Sequence, residues 1–204
     1  MALTHDQKVK IAWADWVGGV TSASLGFISF GVAAATSLCY YNSQNWSVVA
    51  PTPDPIPSQS DDQGVLHNAL VSNYLALSSK PFDYISIINM ACQVRPNLAM
   101  EIRSTPKSQY DKIVNIGICL DLSTVQNKIT ILSGYITFNA QNLTTITNTF
   151  NTLSQVTTSN DWANAVNNLI TQVSNFSLPQ ADKSFFIGTL QILRSSYVYW
   201  NSVL

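Results

Sequence analysis

The chain is 204 residues long, 46% hydrophobic and only 10% charged, with a net charge of −1. An ordinary soluble domain carries about 25% Asp, Glu, Lys and Arg, so uncharged Asn, Ser, Thr and Gln stand here where charges usually would. This balance excludes classical disorder, which needs low hydrophobicity with high charge, and it leaves no basic surface to hold a nucleic acid.

Thr4 and Gln7 have the spacing of a capping box, which predicts a helix beginning near His5. From Trp16 to Pro53 there is no carboxylate and no basic residue. Within that stretch, Trp16 to Tyr41 forms an apolar run of about 26 residues, where a helix crossing hydrocarbon needs about 20. The first helix is expected to continue through this run, with Trp16, Val20, Leu25, Phe27, Ile28, Phe30 and Val32 as lipid contacts. Gly18, Gly19, Ser22, Gly26, Gly31 and Ala35 are small residues that let a second helix approach closely. Trp13, Trp16, Tyr40 and Tyr41 bracket the run as an aromatic belt would. Mean hydropathy from Val20 to Cys39 is roughly +1.5, on the border for a spanning segment, because Ser, Thr and Gly dilute it. Two other readings stand beside this one: a central helix buried on all sides of a soluble bundle, and a signal peptide cleaved near Ala33 to Ala35.

Prolines at positions 51, 53, 55 and 57 fix φ and remove donors, so residues 43–63 read as an extended connector. It divides the chain into an N-terminal hydrophobic helix, 1–42, and a helical bundle, 64–204. A proline-rich ligand for an aromatic groove is the alternative for this segment.

Beyond the connector the periodicity is helical. Val65, Leu66, Ala69, Leu70, Tyr74 and Leu77 mark one helix; Tyr84, Ile85, Ile88, Ala91 and Cys92 mark another, opened by Pro81 and stopped or kinked at Pro96. Thr105 and Pro106 read as the start of the longest element, extending to about Thr157. Leu122, Val125, Ile129, Leu132, Ile136, Asn139, Leu143, Ile146, Phe150 and Leu153 follow alternating steps of three and four. That pattern predicts a long heptad helix whose seam, Ile129, Leu132, Ile136, Asn139, Leu143, Ile146 and Phe150, meets a partner or a second copy, with Asn139 setting register. The β-branched stretch from Ile129 to Phe138, with Gly134 as a turn, offers a competing hairpin. Two further amphipathic helices carry Trp162 to Phe176 and Phe186 to Leu204, expected to pack antiparallel.

Catalytic, metal and cofactor signatures are not found. His5 and His67 have no acidic or Cys neighbour at triad or ligand spacing, and Cys39, Cys92 and Cys119 form no CxxC pair. The cysteines read as small buried residues, with a Cys92–Cys119 bridge as the alternative in an oxidising compartment. Asp61 and Asp62 read as a helix start. Arg95, Glu101, Arg103, Lys107, Asp111 and Lys112 make a solvated bend, and the glycosylation triplets at Asn45, Asn142 and Asn175 carry little weight in a chain this rich in Asn, Ser and Thr. Between Asp121 and Asp161 the only charge is Lys128, an unusual composition for a solvated coiled coil.

The sequence therefore predicts an all-α bundle with one long heptad helix and an N-terminal hydrophobic helix. The expected function is non-enzymatic: a protein that oligomerises and inserts into or permeabilises a bilayer, with lipid and protein, itself included, as partners. The alternatives are a membrane-anchored structural subunit of a secretion, envelope or virion assembly, and a soluble helical interaction module. Lys8 and Lys10 flanking the apolar run place the N-terminus in the cytoplasm and the bundle outside it if the protein is anchored; a toxin-like protein would be secreted.

Overall fold

Thr4 caps the first helix as its spacing predicts: its backbone N–H donates to Gln7 Oε1 (2.7 Å), and its Oγ1 accepts from the Gln7 N–H (3.3 Å). The computed structural model describes residues 3–22, 29–44, 60–76, 84–94, 108 and 122–202. Among them are α1 (His5–Thr21), α2 (Ser29–Ser43), α3 (Gln63–Ala76), α4 (Tyr84–Val94), α5 (Val125–Ser133), α6 (Ala140–Leu153), α7 (Ser159–Ser174) and α8 (Gln180–Ser202), and no strand. The all-helical bundle is as expected. Residues 45–59 of the proline-rich connector, the charged residues Arg95, Glu101, Arg103, Lys107, Asp111 and Lys112 of the bend, and Pro106, Leu25, Phe27 and Ile28 lie outside the described residues.

One expectation about the apolar run is corrected. It does not continue α1 as a single helix but is divided between α1 and α2, which lie antiparallel. Gly18 sets their approach. A Cβ placed there would fall 2.6 Å from Thr36 Oγ1 and 3.0 Å from the Ala33 Cα, so the small residues serve a helix contact within the chain. Every residue from Ile11 to Ser22 is buried, as is every residue from Phe30 to Leu38. The hydroxyls that dilute the run are satisfied without leaving their own helices: Thr21 Oγ1 donates to the Val17 carbonyl (2.8 Å), Ser22 to Gly19 (2.7 Å), Thr36 to Val32 (2.9 Å) and Ser37 to Ala34 (3.3 Å). This back-bonding removes the cost of burying a hydroxyl. No helix among the described residues is long and apolar enough to cross a membrane.

The long heptad helix is corrected as well. The pattern from Val125 onward is shared by α5 and α6, with a non-helical stretch at 134–139 between them. Asn139, expected in the seam, is exposed and is the N-cap of α6; its Oδ1 accepts from the Asn142 N–H at 2.8 Å. The physical reason is competition: Asn at an N-cap satisfies a helix-end donor, whereas a heptad core position would bury its amide. Heptad spacing survives across the break because both helices turn their apolar residues toward one interior.

Helices α1 and α8 form the centre and run antiparallel, with Asp15 against Ser196 and Lys8 Nζ donating to Asn201 Oδ1 (3.1 Å). On one side Trp13, Trp16 and Val20 of α1 join Leu132, Ile146, Phe150, Trp162, Leu169 and Leu193. Aromatic rings organise this core: Trp13 and Trp16 meet Phe150 edge-on at 4.9 and 5.3 Å, and Trp162 stacks on Tyr197 at 4.3 Å. A second core, on the other side, gathers Ile11, Phe30, Leu38, Leu66, Leu70, Ile87 and Trp200 from α1, α2, α3, α4 and α8.

Candidate functional site

Between the two cores lies a polar network absent from the sequence reading. Asp15 from α1, His67 from α3 and Ser196 from α8 are each fully buried. Ser196 Oγ donates to Asp15 Oδ2, and His67 Nε2 stands 3.0 Å from Asp15 Oδ1 in an ion-pair contact. The other ring nitrogen, Nδ1, is 2.9 Å from Asn68 Oδ1, and Asn68 Nδ2 donates to the Ser195 carbonyl oxygen (2.9 Å). The sequence shows no acidic neighbour of His67 at triad or ligand spacing. In sequence its acid lies more than fifty residues away, across the connector, so no spacing rule finds it. The only signal was Asp15 itself, a carboxylate directly before a run of apolar residues.

Burial lowers the pKa of His67, but the charge of Asp15 close against the ring and the Asn68 contact outweigh it, and the net shift is upward from the ordinary value. The three residue types match those of a hydrolytic triad, but their order does not. The carboxylate stands between Ser196 and His67, so the serine proton points to Asp15 and the imidazole contacts the carboxylate instead of Oγ. With all three side chains sealed from solvent, the arrangement binds helices together rather than attacking a substrate. Among the described residues no group of three His, Cys, Asp or Glu could hold a metal ion.

Two other polar ties hold the same helices. Asp62 caps α3, its Oδ1 accepting from the Gly64 N–H (2.9 Å) and the Val65 N–H (3.2 Å), while its Oδ2 pairs with Arg194 of α8. Arg194 Nη1 donates in turn to Asn167 Oδ1 of α7 at 3.0 Å. On the far side Lys128, the single charge of its region, is buried with Nζ 2.6 Å from the Leu122 carbonyl and 4.5 Å above the Trp13 ring.

Of the expected lipid contacts, Trp16, Val20, Phe30 and Val32 are buried in the chain's own cores. Among the seam residues, Ile129, Leu132, Ile136, Ile146 and Phe150 are buried in the core with α1; Leu143 is half-buried against it, and Asn139 is exposed. The uncharged Thr face bonds largely to itself, as Thr130 Oγ1 does to the Gln126 carbonyl (3.0 Å), Thr144 to Ala140 (2.9 Å) and Thr152 to Asn148 (3.1 Å). No family model, curated protein or solved structure matches this chain.

Proposed function

We propose that this protein is a non-enzymatic, membrane-active helical bundle that keeps the apolar α1–α2 hairpin in its centre and delivers it to a bilayer as part of an oligomer. The observation that carries this reading is the hairpin's polar economy. From Trp16 to Thr21 in α1, and throughout α2, it has no charged residue, and its buried hydroxyls bond within their own helices. Such helices are equally satisfied in a protein core and in hydrocarbon, where backbone and side-chain polar groups must find partners internally. Asp15 stands at the edge of the apolar run, and release gives up its ties to His67 and Ser196 together with the Lys8–Asn201 and His5–Tyr197 contacts near the start of α1. At about 1.5 Å per residue, α1 and α2 are each about 25 Å long or slightly less, which suits a hairpin entering a thinned or shared bilayer region better than an independent span.

An internal crosslink tests this. A Cβ at Gly19 would lie 3.8 Å from the Thr189 Cβ of α8, within disulfide range. In a background with the three native cysteines changed to alanine, Gly19→Cys with Thr189→Cys should fold, oxidise and hold α1 against α8. Dye-loaded vesicles of mixed anionic and zwitterionic lipid should leak when the reduced protein is added and stay intact with the oxidised one. Vesicles that stay intact with reduced protein and with the unmodified chain, across pH 4 to 9, would replace this reading with that of a soluble helical interaction module.

A further inference from the structure

The hydrogen-bond pattern around His67 specifies a charge state. Asn68 Nδ2 is committed to the Ser195 carbonyl, which turns Oδ1 toward His67; an amide oxygen offers no hydrogen, so His67 Nδ1 must carry one. Nε2 lies 3.0 Å from Asp15 Oδ1, an ion-pair contact without the alignment of a hydrogen bond, and a carboxylate oxygen there meets either a ring N–H or a ring lone pair. Asn68 therefore requires a proton on Nδ1, and the Asp15 carboxylate beside Nε2 favours a second one electrostatically; only the imidazolium carries both. Loss of either proton sets a ring lone pair against an oxygen in a site without solvent, where no water can take the missing hydrogen's place.

We infer that Asp15, His67 and Ser196 form a pH-operated latch tying α1 to α3 and α8, closed around the His67 imidazolium and released when the ring loses a proton. The surroundings isolate the switch. Of the helices packed on α3, α2 and α4 contain no Asp, Glu, Lys, Arg or His; their titratable groups are Cys39, Tyr40, Tyr41, Tyr84 and Cys92. From α8 come Ser196 and, near the start of α3, Arg194 already paired with Asp62. Asp15 is the charged group in contact with the ring. Because the folded pKa is raised, the stabilisation is fully present below the unfolded value of about 6.5 and is lost as pH rises through the folded value. The latch stands whether or not the hairpin enters a bilayer.

Two measurements on the intact chain decide it. The chain has two histidines, so nitrogen-15 NMR of labelled rings, assigned with His5→Gln, isolates His67. At pH 6 both of its ring nitrogens should be protonated, and its titration midpoint should lie above the ordinary value. A neutral ring at pH 6 overturns the inference. In urea denaturation, the unfolding constant of the wild type should rise about tenfold per pH unit between the ordinary histidine value and that of folded His67. His67→Gln should abolish that slope, since glutamine does not titrate; an unchanged slope in that variant also overturns the latch. If His67→Gln does not fold, Asp15→Asn with His67→Gln removes both charges and serves in its place.

Discussion

Gly64, in the first turn of α3, lies so close to α8 that a Cβ there would fall 2.2 Å from the Gln191 carbonyl oxygen and 2.6 Å from the Ser195 Cβ. This approach brings His67, one turn further along α3, within reach of Asp15. Gly64→Ala should therefore lose about 3 kcal/mol, because backbone rather than a flexible side chain must give way. Gly134, at the exposed end of α5 with ordinary helical φ and ψ, is the control: Gly134→Ala should be neutral or stabilise by about 0.5 kcal/mol. Urea denaturation of both variants checks the pair.

Phe150 joins Trp13 and Trp16 of α1 to α6 and is fully buried. Truncation to alanine leaves a cavity among rings that cannot collapse around it, so Phe150→Ala should cost about 3–5 kcal/mol. Phe150→Leu should cost less than half as much. The Trp fluorescence of the folded state should change in the alanine variant, since two indoles lose their edge-on neighbour.

Asn139 discriminates between a heptad seam and a helix cap. A seam amide replaced by leucine would raise the melting temperature; a cap so replaced lowers it. Asn139→Leu and Asn139→Ala should each lose about 1 kcal/mol, while Asn139→Asp, which keeps the accepting oxygen for the Asn142 N–H, should stay near wild type. Thermal unfolding of the three variants gives the answer.

Asp62 performs two separable tasks, capping α3 and pairing with Arg194. Asp62→Ala removes both and should cost about 1–2 kcal/mol. Asp62→Asn keeps the cap and should lose less than about 1 kcal/mol, because the pair is partly exposed at 23% and 27%. The wild type should lose part of its advantage over Asp62→Asn as salt is raised from 0.05 to 1 M, an effect tested by denaturation at each ionic strength.

The helical class, the capping box at Thr4, the helix start at Asp62 and the buried faces of α7 and α8 follow from local rules: a side-chain acceptor two or three residues before an orphan N–H, and apolar residues at three- and four-residue steps. Those rules act over one or two turns, so they are legible in sequence order. What lay beyond them is of two kinds. Periodicity cannot distinguish one long helix from two helices that share an interior, so the break at 134–139 and the cap at Asn139 were decided by packing. Nor can hydropathy distinguish lipid from protein as the solvent of an apolar helix; only the tertiary structure sets the described parts of the run, in α1 and α2, against each other and inside the chain's own cores. The Asp15–His67–Ser196 network has no local signature at all, because its members are brought together by the approach of three helices distant in the chain, and a buried charge is tolerated only where that approach supplies its partner.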